Sequence, residues 1–73
     1  MKTFREEVKT TVIQVAQKLY ADQEVVIFDK SFEPLFIGWA CHLRARNDLL
    51  DLEIRDISLH KNALHIHTYK EVE

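Results

Sequence analysis

The chain has 73 residues, 47% hydrophobic and 30% charged, which is the composition of a folded globular domain and not of a disordered segment. Ten Lys and Arg stand against twelve Asp and Glu, a formal charge of -2, so a broad phosphate-binding surface is excluded and nucleic acid is not an expected partner. One domain is expected, near the size at which a single core barely suffices and association becomes a common remedy.

In chain order, Thr3-Phe4-Arg5-Glu6 has the spacing of a capping box, each end offering an acceptor to a backbone N–H of the other. Phe4, Val8, Val12, Val15 and Leu19 follow at steps of three and four, with Ala16 and Tyr20 beside them. The spacing predicts an amphipathic helix that ends near Ala21. Val25-Val26-Ile27-Phe28 is apolar on both faces and reads as a buried strand. Asp29-Lys30-Ser31-Phe32-Glu33-Pro34 is turn chemistry. Leu35 to Leu43 reads as a second strand, with Leu35, Ile37, Trp39, Cys41 and Leu43 on one face and Phe36, Gly38, Ala40 and His42 on the other. Gly38 marks either a close approach or a bend.

Arg44 to Asp48 reads as a polar connection. Leu50, Leu52 and Ile54 then alternate with Asp51, Glu53 and Arg55 as a third strand. The apolar phase flips at Ile57 and Leu59, which predicts a β-bulge near Arg55-Asp56. Lys61-Asn62 is a two-residue turn, with Asn62 suited to positive φ. That turn sets Leu59 opposite Leu64, Ile57 opposite Ile66, Ser58 opposite His65 and Asp56 opposite His67. The expected fold is therefore α+β in two layers: one N-terminal amphipathic helix packed on a four-stranded, mostly antiparallel sheet, in the order α-β-β-β-β, forming a single domain over residues 1–73.

No catalytic motif is legible. The single glycine rules out a glycine-rich phosphate loop, and no cofactor is expected. Cys41 falls in the apolar series of its strand and is expected to pack in the core. Its neighbour His42 would point to the opposite face, so the two form no nucleophilic pair. A lone cysteine favours a reducing cytoplasm, the polar start of the chain lacks the apolar core of a signal peptide, and no apolar run approaches the ~20 residues of a membrane span. A cytoplasmic protein without a membrane partner is expected. His60, His65 and His67, with Asp56 nearby, are candidate metal ligands for an alternative, metal-dependent enzyme. The reading of a polar sheet face outweighs that one. Arg44 and Arg46 are the one basic cluster, which a small nucleic-acid-contacting protein would use, but Asp48 and Asp51 offset their charge. Phe28, Phe32, Phe36 and Trp39 exceed what one helix–sheet core needs. They point to an interaction surface for a protein partner or a second copy. A homodimer is expected, because one helix covers only one face of strands that are apolar on both.

Val25-Val26-Ile27-Phe28-Asp29, Leu35-Phe36-Ile37-Gly38-Trp39-Ala40, Ile54-Arg55-Asp56-Ile57 and Leu64-His65-Ile66-His67 together form a pattern over most of the chain. It resembles small uncharacterised accessory proteins of phages, plasmids and other mobile elements of Gram-positive bacteria. The resemblance carries no functional residues. It implies an accessory protein that acts by binding.

Overall fold

The computed structural model describes residues 10–71. The Thr3–Glu6 capping box and the predicted core positions Phe4 and Val8 lie outside the described residues.

Thr11 is extended and bridges antiparallel to Glu53. Val12 N–H donates to Leu52 C=O at 3.0 Å and Ile54 N–H to Thr10 C=O at 2.8 Å. The Thr10 C=O and the Val12 N–H, on either side of Thr11, are thus spent on a strand-like bridge. The helix α1 runs only over Val12–Ala16. Its start is held by Gln14, whose side-chain oxygen accepts the Thr11 N–H at 2.9 Å. Val12 and Ala16 are buried, Val15 and Leu19 are half-buried against the core, and Tyr20 is exposed.

Strand β1, Glu24–Phe28, pairs antiparallel with β2, Pro34–Trp39. The predicted second strand stops at Trp39, because Ala40–Leu43 is a helical turn, α2. Ala40 and Leu43 stand three apart, the spacing that puts two side chains on one helix face, and both are fully buried. The same logic corrects the next stretch. Asn47–Leu50 is a third short helix, α3, which buries Leu49 and Leu50, so β3 begins only at Ile54 and runs to His60. Strand β4 is Ala63–Thr68.

The hairpin β3–β4 has the register read from the sequence: Leu59 opposite Leu64, Ile57 opposite Ile66, Ser58 opposite His65 and Asp56 opposite His67, with the irregularity between Ile54 and Asp56. In the turn, Lys61 and not Asn62 takes the left-handed conformation, at φ 58°.

The sheet order is β2-β1-β4-β3. The chain leaves β2, crosses through α2, α3 and β3, and returns β4 beside β1 in parallel, with Val25 opposite Leu64 and Ile27 opposite Ile66. The sheet is therefore mixed and not mostly antiparallel, and the element order is α-β-β-α-α-β-β. The three helices contribute Val12, Ala16, Ala40, Leu43, Leu49 and Leu50 to one core with Val25, Ile27 and Ile66 of the two central strands. No helix among the described residues is long and apolar enough to cross a membrane.

Candidate functional site

Strand alternation sends Val25, Ile27 and Ile66 to the helices and their neighbours to the other side. Cross-strand rows on that open face follow from the register. Trp39, Glu24, Ala63 and His60 form one row, Ile37, Val26, His65 and Ser58 the next, and Phe28, His67 and Asp56 the third. The open face is apolar on the β2–β1 side and turns polar toward β3. Ile37 is 65% exposed and Trp39 47%.

The rings on this face touch one another in sequence. His67 stacks on Phe28 with centroids 4.7 Å apart and planes 11° from parallel. His65 meets the same ring at 5.3 Å, and His60 lies 5.2 Å from His65. On the other side Phe32 packs edge-on to His67 at 5.3 Å, with the Arg55 guanidinium 5.9 Å from the Phe32 ring centroid. The result is a continuous platform of rings, Phe32, His67, Phe28, His65 and His60, crossing three elements. The Nδ1 atom of His67 is buried without a hydrogen-bond partner.

The loop that presents Phe32 is built by Asp29, which is 1% exposed. Its Oδ1 accepts from Ser31 N–H at 2.8 Å and from Glu33 N–H at 2.9 Å, while Phe32 N–H donates to Asp29 C=O at 3.1 Å. These bonds hold Phe32 at φ 65°, in the left-handed region that aromatic side chains rarely adopt. Its ring is 60% exposed. Asp29 is thus a turn-former, and its Oδ2 is buried without a partner.

The other expected site residues are placed elsewhere. Phe36 faces the helices, opposite Ile27, packs half-buried against the core and carries the Arg46 guanidinium 5.9 Å from its ring centroid. The close approach expected over Gly38 is the ring of Phe36, which would sit 3.1 Å from a Cβ placed there. Arg44 donates Nε–H to Ala16 C=O at 3.1 Å and a second N–H to Leu19 C=O, so it ties α2 to the carbonyl end of α1. Arg46 forms a two-armed ion pair with Asp48 at 3.1 and 3.0 Å. The hydrogen bond from Arg46 holds the Asp48 carboxyl below its ordinary pKa. Both arginines of the basic cluster are thus engaged within the chain. Cys41 is exposed and not in the core, because the strand gives way to α2 before it. His60, His65 and His67 do share a face, as the hairpin register requires. Among the described residues, however, no three His, Cys, Asp or Glu side chains converge to hold a metal ion.

The sequence left open whether Val25 and Ile27 or Val26 and Phe28 lie on the uncovered face, and it did not single out Ile37 or Arg55. Ile37, like Val26, was signalled by the double-faced apolarity of its strand, once it is known which face the helices take. Arg55 had no signal beyond its place in the bulge.

No protein-family model matches the chain, and neither a curated protein nor a solved structure does.

Proposed function

We propose that the protein is a non-catalytic binding module that engages a protein partner through the open sheet face. It would be an accessory factor of the kind its resemblance to mobile-element proteins implies. The single observation that supports this reading is the ring platform itself. Phe28, Phe32, His65 and His67, flanked by Ile37 and Trp39, form an apolar and aromatic patch on the sheet that no other described residue covers. Aromatic and Arg side chains in such patches carry most of the energy of protein interfaces. A stacking platform for nucleic-acid bases would also need cations for the phosphates. This face carries Glu24 and Asp56 as well as Arg55, so its charge does not favour that use.

Affinity purification of the tagged chain from its native host tests the reading. Phe32→Glu and Trp39→Glu put a charge on the face without touching the core. A partner retained by the native chain should be lost from both variants, while their thermal unfolding stays native-like. Undiminished capture by both variants would overturn the reading.

A further inference from the structure

The open face ends at an edge strand with unused pairing capacity. Among the described residues, strand β2 is paired on one side only, by β1. Ala40 N–H donates to Gln23 C=O at 2.8 Å, which sets the phase of the ladder. Antiparallel pairs alternate between those that exchange hydrogen bonds and those that do not. With Glu24 opposite Trp39 and no irregularity up to Ile27, Phe36 and Gly38 turn their backbone groups toward β1. Ile37 therefore turns both its N–H and its C=O outward, and Trp39 turns its N–H outward.

The two edges of the sheet differ. Strand β3 carries Arg55, Asp56 and His60, and its start is covered by the Thr11–Glu53 bridge. Charges and covered ends are how proteins block pairing at an edge. Strand β2, Pro34-Leu35-Phe36-Ile37-Gly38-Trp39, has no charged side chain and no such cover among the described residues.

We propose that β2 pairs antiparallel with β2 of a second copy, about a two-fold axis at Ile37, so that two sheets become one. The inference goes beyond the binding role proposed above, because it uses the backbone edge of β2 and not the ring platform. Residues directly opposite in an antiparallel pair share a face, so the axis must pass through a residue position and not between two. Ile37 is the position with both backbone groups turned outward. There each copy donates its N–H to the other's C=O, and like apolar side chains meet. On the helix-facing side Phe36 comes beside Gly38 of the copy, whose own Phe36 ring lies over that glycine. Pro34 lacks an N–H and closes the ladder. Such a contact uses the same patch on both chains, the commonest oligomer geometry.

Sedimentation equilibrium of the full chain, from low to high micromolar concentration, tests this with four variants. Ile37→Pro removes an N–H that is turned away from β1 and makes no bond among the described residues. Ile37→Lys sets like charges opposite each other at the axis. Leu59→Lys alters the other edge, and Phe32→Glu alters the open face away from β2. The native chain should dimerise, and both Ile37 variants should weaken the dimer roughly tenfold or more, since the bonds or the apolar contact at the axis are lost. Leu59→Lys and Phe32→Glu should dimerise like the native chain. Circular dichroism checks each fold, and if Ile37→Pro fails to fold, Ile37→Lys decides. A native chain monomeric throughout would overturn the pairing and leave the open face for a different protein. A dimer that survives both Ile37 variants, or one lost with Phe32→Glu, would also overturn it.

Discussion

Phe32 holds φ at 65° and keeps most of its ring in solvent. A non-glycine residue in that region costs of order 1 kcal/mol or more, and nothing in the core recovers the cost. The residue instead extends the ring platform past His67. Phe32→Gly should therefore keep or raise the melting temperature while weakening partner capture, which calorimetry and affinity purification together would show. Concurrent loss of both stability and binding would mean that the ring is structural. Ile27 is the opposite case. It is fully buried in β1 between β2 and β4, and Ile27→Ala should cost about 2–5 kcal/mol in urea unfolding. Leu59 is also apolar and stands in the same sheet, yet it is 69% exposed on an edge strand. Leu59→Ala should stay within roughly 0.5 kcal/mol of the native chain. The sequence alone does not separate these two residues. Alternation puts both on the same face, and only the path of the helices says how far across that face the cover reaches.

Among the elements, the hairpin β3–β4 was the most legible. Its turn, its cross-strand pairs and its bulge are all local, and each apolar pair checks the others. The helices were harder to read. Ala40 and Leu43 fit a strand or a helical turn equally well by pattern, since a stretch of four residues contains no full period. The choice is made by tertiary contacts, above all by Arg44, which bonds the carbonyl of Ala16 at the end of α1 and that of Leu19 just past it, and thereby fixes α2 against α1. Arg44→Ala would leave those carbonyls to water and should destabilise the fold by about 1–3 kcal/mol. Arg44→Lys should recover only part of that, because a single ammonium lacks the guanidinium's fork. Unfolding titrations of the two variants would rank them. Arg46→Ala should cost much less, since its ion pair with Asp48 is solvent-exposed and spans two residues.

At the scale of the whole molecule, the element hardest to anticipate was the parallel pairing of β1 with β4. The two strands are about forty residues apart, and no local period records a partner at that distance. What the sequence did carry was a strand apolar on both faces. The helices occupy one side, through Val25 and Ile27. The other side, with Val26 and Phe28, opens onto the ring platform and the bare edge of β2. Both proposed contacts, partner protein and second copy, meet at Trp39, the only tryptophan in the chain. It stands at the end of β2 with 47% of its surface exposed. Its fluorescence is the most direct measure of the central claim that this side of the sheet is an association surface. In dilute solution the emission should be that of a partly solvated indole, readily quenched by acrylamide. As the chain is concentrated, or a captured partner is added, the emission should move to the blue and the quenching constant should fall. An emission maximum and quenching constant that stay unchanged through both titrations would contradict the account.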